Sequence, residues 1–348
     1  MKIGLALGSG AARGWAHIGV IQALEEMGIK IDIVTGCSIG SYVGAAYVSG
    51  KLPELAEWVE SLTEWQVFSL MGVGFHKGGL MSGQKVFTAL EDNFSCETFE
   101  QLDMPFGAVA TDLYSGREVN FLSGSIASAV RASCSIPGLF PPSLHENRWL
   151  VDGGVVNPVP VNMCRMLGAD FVIAVNLSAD FRPQSLVNRE IDHGNNQKKT
   201  SDFFKRSHKQ IQQWFKKDSH TSEVVEEPLI KEAVDEDDEP CLTQECLDML
   251  EPALEKQQEE DQDPQTNVPA PPAPSIINAM TGSLDILSAR VTRSRLAGDP
   301  PDILIEPQLR DFGMMEFYRA KELISEGHGS VERIAAQIKY HLSLDEAK

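Results

Sequence analysis

Two short apolar runs, Ile3–Leu7 and Ile31–Thr35, each lead through a glycine-rich turn into a stretch of helical periodicity, Trp15–Met27 and Ile39–Val48. Consecutive strands separated by a helix run parallel, and the crossover helices lie on the faces of their sheet. Gly28 stops the first helix and the second stops near Gly50. Strands recur at Phe106–Ala110, Trp149–Val151 and Phe171–Asn176, with helices near 125–132 and 160–167. The pattern predicts an α/β fold, a three-layer sandwich with a central, mostly parallel sheet.

The alternation breaks at residue 181. Residues 181–275 carry 11 basic and 21 acidic side chains, so half of the chain's net charge of −20 is concentrated there. Residues 198–217 are basic, 218–263 strongly acidic, and 264–274 contain five prolines. Such a segment buries too little apolar surface to offset chain entropy, so a largely disordered low-complexity insertion is expected. Folded patterns then resume. Ser275–Leu296 is helical, with Ile276, Met280, Leu284, Leu287 and Val291 along one side, Ile303–Ile305 is a short strand, and 315–342 form one or two helices. The expected organisation is a catalytic domain of residues 1–180 and 276–320, interrupted by 181–275, with a C-terminal helical segment at 321–348.

Composition excludes several classes of function. A strongly acidic chain lacks the clustered Lys and Arg that nucleic-acid binding requires. The six cysteines are scattered without zinc or redox spacing, so they read as reduced thiols, and no metal or organic cofactor is expected. No run of 18 or more apolar residues occurs, and the glycine motif beginning at Gly8 leaves no room for a signal peptide before it. A soluble, cytoplasmic protein is the expectation, and its oligomeric state is not fixed by the sequence.

The chemistry gathers at three places. Gly36-Cys37-Ser38-Ile39-Gly40 lies where a strand passes into a helix, a turn that lifts a serine hydroxyl off the end of a sheet between two glycines. Ser38 is the candidate nucleophile. Gly8-Ser9-Gly10-Ala11-Ala12-Arg13-Gly14 joins the first strand to the first helix, where free backbone N–H groups attract negative charge. Three readings of this loop stay open: a pyrophosphate site, although Arg13 breaks the dinucleotide spacing; an oxyanion hole beside Ser38, to which the Ile39 amide would add a donor; and a plain turn. Of the eight histidines none has a catalytic context, and His17 reads as packed or capping. Asp152-Gly153-Gly154, delivered by Trp149–Val151, is the better candidate base, with an ordinary Asp-Gly turn as the alternative.

The glycine loop, the serine elbow and Asp152-Gly153-Gly154 with Pro158 and Pro160 occur in this order, and together they resemble the patatin-like phospholipases. The resemblance spans 1–180 and returns at about 277–320, where Ala297–Asp302 is similar to the bacterial RssA-type subgroup. It implies a lipid acyl hydrolase with a Ser38–Asp152 dyad and no catalytic histidine. By the same resemblance Gly8, Gly10, Ala11, Arg13 and Gly14 form the oxyanion loop, Gly36, Gly40, Gly153 and Gly154 are motif glycines, and Thr111–Leu113 and Ala132–Pro137 are scaffold. The implied reaction cleaves a phospholipid or lysophospholipid ester through an acyl-serine. The alternative is a regulatory or scaffolding protein that keeps the fold and binds lipid or a protein partner.

Two further segments bear on a lipid substrate. Gln66–Gly83 interleaves large apolar residues with five glycines, which suits a mobile cover over an acyl channel or an apolar loop packed on the core. Residues 202–217 have Phe204, Ile211, Trp214 and Phe215 on one side of a basic amphipathic helix, a pattern for peripheral contact with a membrane surface.

Overall fold

The computed structural model describes residues 1–76, 79–180 and 276–342. The expected insertion and the amphipathic helix at 202–217 lie outside the described residues. Among the described residues ten strands are present: β1 (Ile3–Leu7), β2 (Ile33–Cys37), β3 (Val73–His76), β4 (Gly79–Met81), β5 (Phe106–Asp112), β6 (Glu118–Phe121), β7 (Ser143–His145), β8 (Arg148–Asp152), β9 (Phe171–Val175) and β10 (Ile303–Ile305). The helices are α1 (Ala16–Glu26), α2 (Ile39–Val48), α3 (Leu52–Ser61), α4 (Glu64–Met71), α5 (Gln84–Ala89), α6 (Ile126–Ser133), α7 (Val161–Met166), α8 (Ile276–Gly298), α9 (Ala320–Arg333) and α10 (Ala335–Leu342).

The main sheet runs β10-β9-β1-β2-β5-β8-β7, with β6 also paired to β5. From β10 to β5 every pairing is parallel. β6, β7 and β8 are antiparallel additions that the sequence reading anticipates only through Trp149–Val151. β3 and β4 form a separate hairpin. β2 and β9 are buried throughout, as strands covered on both faces must be. β1 divides its side chains between two cores by the period-2 rule. Leu5 and Leu7 enter the large core with α1, α2 and α9, while Ala6 joins a smaller core with Val161 and Cys164 of α7 and Leu296 of α8. This gives helices, sheet and helices in three layers.

The C-terminal helices are part of this packing. A Cβ on Gly19 of α1 would lie 1.9 Å from the Ile324 carbonyl oxygen, and one on Gly327 of α9 would lie 1.9 Å from the Ala16 carbonyl oxygen. The two helices therefore cross backbone against backbone. α8 corrects the stripe expected from periodicity. Gly282, Ala289 and Thr292 are buried, whereas Leu287 is 60 % exposed. Small and polar side chains make this contact, so apolar spacing points to the wrong face.

Candidate active site

Ser38 stands between the last residue of β2 and the first of α2, with φ 54° and ψ −126°. Non-glycine residues avoid positive φ, and such strain persists only where the surroundings hold it. Its N–H donates to Ser133 Oγ at 2.8 Å, and its carbonyl accepts the Ser41 hydroxyl at 2.6 Å. Gly36 and Gly40 permit the bend. A Cβ on Gly40 would lie 2.2 Å from the Leu7 carbonyl oxygen, and one on Gly36 would lie 2.4 Å from the Gly40 carbonyl oxygen.

Asp152 ends β8, in register with Ala110 of β5. Its amide donates to the Ser135 carbonyl at 2.9 Å, and its own carbonyl accepts Thr111 Oγ1 at 2.9 Å. Oδ1 accepts the Gly154 amide at 2.7 Å, and Gly153 lies against the Val109 carbonyl. Oδ2 accepts the Ser38 hydroxyl at 2.5 Å. Both side chains are nearly sealed, with Ser38 3 % and Asp152 6 % exposed. Burial pushes the Asp152 carboxyl up to about 6 against the opposing hydrogen bonds from Ser38 and Gly154. It is then mostly ionised at neutral pH, yet more basic than a solvated aspartate.

The glycine loop forms a 3-10 turn over Ala11–Trp15, with Ala11 at φ 49°. Two residues expected to line an oxyanion hole have their amides engaged elsewhere. The Gly8 N–H donates to the Val175 carbonyl at 3.1 Å and the Arg13 N–H to the Gly10 carbonyl at 3.2 Å. Gly8 is thereby fastened to β9 and Arg13 to the turn itself. Among the described residues, the amides of Gly10, Ala11 and Ile39 have no acceptor. Gly14 serves by its size, since a Cβ there would lie 2.2 Å from Ile39 Cγ2. His17 is a strut beneath this loop. Its Nε2 lies 2.7 Å from the Gly8 carbonyl and so carries the proton, while burial lowers its pKa to about 4.

Beside Ser38 is a cavity of about 60 Å³ with an apolar wall that includes Trp15, Tyr42, Trp58, Val67, Leu70 and Phe140. Val67 and Leu70 lie on α4, within the segment read as a cover. Small-molecule sites run to roughly 300–1,000 Å³, so a ligand of that size fits here only if part of the wall is displaced.

Residues 5–165 match the family model for patatin-like phospholipase. An uncharacterized NTE family protein of Mycobacterium tuberculosis is 32 % identical over 330 residues, covering 94 % of this chain and 89 % of the relative. The chain belongs to the patatin-like NTE family. Other members resemble it over a shorter stretch. Neuropathy target esterase sws of Drosophila melanogaster is 33 % identical over 51 % of this chain and 13 % of its own length, and a lysophospholipase of Mycosarcoma maydis is 36 % identical over 51 % of this chain and 10 % of its own.

The patatin-like domain of this NTE family member places it among the lipid ester hydrolases. Among its described residues no helix is long and apolar enough to cross a membrane, and no group of His, Cys, Asp and Glu could hold a metal ion. Sequence reasoning treats Ser133 and Ser135 as scaffold and passes over Asp285 and Arg295. In the folded NTE-type domain Ser133 holds the Ser38 amide, Asp285 pairs with Arg13, and Arg295 donates to the Val156 carbonyl and pairs with Glu118. These partners lie far apart in sequence, and no local motif marks them.

Proposed function

We propose that this chain hydrolyses the acyl ester of a lysophospholipid, with Ser38 as nucleophile and Asp152 as its base. The observation that carries the reading is the 2.5 Å hydrogen bond from the Ser38 hydroxyl to Asp152 Oδ2 beside an apolar cavity. Asp152 takes the serine proton as Ser38 Oγ bonds to the ester carbon. The amides of Gly10, Ala11 and Ile39 donate to the resulting oxyanion. Collapse expels the alcohol, which leaves with the proton from Asp152. Water, deprotonated by the same carboxylate, then cleaves the acyl-serine. A cavity of only about 60 Å³ leaves less room for two acyl chains than for one, which favours a lysophospholipid over a diacyl lipid.

As part of the same reading, residues 181–275 are an insertion within one catalytic domain. In support, β10 and α8 follow that interval and pack against elements that precede it. A lipid substrate also implies peripheral contact with a membrane surface. The unpaired Cys37, Cys96, Cys134 and Cys164 accord with a reducing, cytoplasmic setting.

A fluorophosphonate probe tests the nucleophile: wild-type protein labels and Ser38→Ala does not. Equal labelling of the two removes Ser38 from the mechanism. Release of fatty acid from lysophosphatidylcholine should exceed that from a diacyl phosphatidylcholine at least about tenfold in kcat/KM.

A further inference from the structure

The acyl-serine reading leaves the Arg13 side chain without a part in the chemistry. Its guanidinium does not line the cavity beside Ser38. Instead Nε donates to the Phe312 carbonyl at 3.0 Å, while Nη1 and Nη2 donate to Asp285 Oδ1 and Oδ2 at 3.2 and 3.1 Å. Both side chains are enclosed, 6 % exposed for Arg13 and 12 % for Asp285. A buried guanidinium without a paired carboxylate is costly, so the two-point contact fixes an orientation as well as a charge.

The position of that grip in the chain gives it meaning. Arg13 lies in the same 3-10 turn as Ala11, whose positive φ needs outside restraint, and its amide closes the turn onto the Gly10 carbonyl. The adjacent Ala12 amide donates to the Met314 carbonyl at 3.0 Å. The turn that presents the unengaged amides of Gly10 and Ala11 is therefore held from behind by α8 and by residues 312–314. We propose that Asp285 is a positioning residue for the oxyanion hole, acting through Arg13 to keep the Gly10 and Ala11 amides aimed at the charge that develops at Ser38. The proposal rests on the acyl-serine reading and extends it to a residue on the far side of the chain.

Asp285→Asn keeps the side chain's shape and removes its charge. The readout is kcat per active site, with active sites counted by the end-point of fluorophosphonate labelling, together with affinity for an alkyl trifluoromethyl ketone and for the corresponding free fatty acid. The ketone forms an oxyanion on Ser38, and the fatty acid fills the cavity without forming one. Asp285→Asn is expected to lower kcat per site and ketone affinity by on the order of 10- to 100-fold, with fatty-acid affinity and KM within about twofold. A purely structural role would reduce melting temperature and the number of titratable sites, yet leave the ketone-to-acid affinity ratio at its wild-type value. That result overturns the proposal. Should Asp285→Asn fail to fold, Arg13→Lys keeps the charge and gives up the two-point contact. The same ratio should fall, and an unchanged ratio again overturns the proposal. If wild-type protein does not label at Ser38, the acyl-serine reading itself fails, which is a different outcome from either.

Discussion

The hydroxyl of Ser133 accepts the amide hydrogen of Ser38 at 2.8 Å, and two residues later the Ser135 carbonyl accepts that of Asp152 at 2.9 Å. The turn that ends α6 thus touches both members of the proposed dyad and sets the distance between them. Ser38 needs this support because its backbone occupies a region that side chains disfavour.

Ser133→Ala should leave the Ser38 amide without its acceptor. The variant is expected to lose about 1–3 kcal/mol of stability. It should also lose on the order of tenfold or more in kcat as Ser38 Oγ drifts from its aligned position. Urea denaturation and single-turnover acylation, measured on the same preparation, check the two effects together.

The raised pKa of Asp152 sets the pH dependence. In the proposed mechanism the group must be ionised to take the serine proton, so kcat/KM should rise with pH through a midpoint of about 6 and then level off. His17, buried with a pKa lowered to about 4, should contribute no limb near neutrality. A pH profile of ester hydrolysis checks this, and a His17→Gln variant that keeps the midpoint separates the two groups.

The same burial makes Asp152 a burden on the fold. Its carboxyl holds a proton to higher pH in the folded chain than in the unfolded one, so stability falls as pH rises from about 4 to about 6. Above that window the ionised group costs on the order of 3 kcal/mol. Asp152→Asn should therefore abolish turnover, raise stability at pH 8, and raise it much less at pH 4. Chemical denaturation of both proteins at the two pH values checks the sign.

The crossing of α1 and α9 gives a prediction remote from the chemistry. Gly327→Ala places a methyl group against the Ala16 carbonyl, where neither backbone can yield without moving a helix. The expected loss is about 3 kcal/mol or more, above the usual overpacking penalty because the obstacle is main chain. Gly329→Ala, on the same helix where the nearest atom is the flexible end of Arg333, should be close to neutral. Thermal melts of the pair give the comparison.

What could be read from the sequence was what is written locally. The serine elbow, the Asp152 turn and the parallel strands each depend on a few adjacent residues, and the structure has Ser38 and Asp152 in contact although 114 positions separate them. Nothing local in the sequence separates the amides of Gly8 and Arg13 from those of Gly10 and Ala11, because their acceptors belong to β9 and to the turn itself. Apolar periodicity points away from the buried side of α8 because Asp285 and Arg295 join it to the rest through charge. β6 and β7 are too short for an alternating pattern to stand out.

The grip of Asp285, Phe312 and Met314 on the turn around Arg13 also orders events during synthesis. A ribosome delivers the serine elbow first and the residues that steady its neighbouring turn only after most of the polypeptide has emerged. Until residues 285–314 have been made, a nascent chain carries Ser38 and Asp152 without the sockets that keep Gly10 and Ala11 in place. In the proposed mechanism the turn around Arg13 gains its last supports only when residues 285–314 are in place.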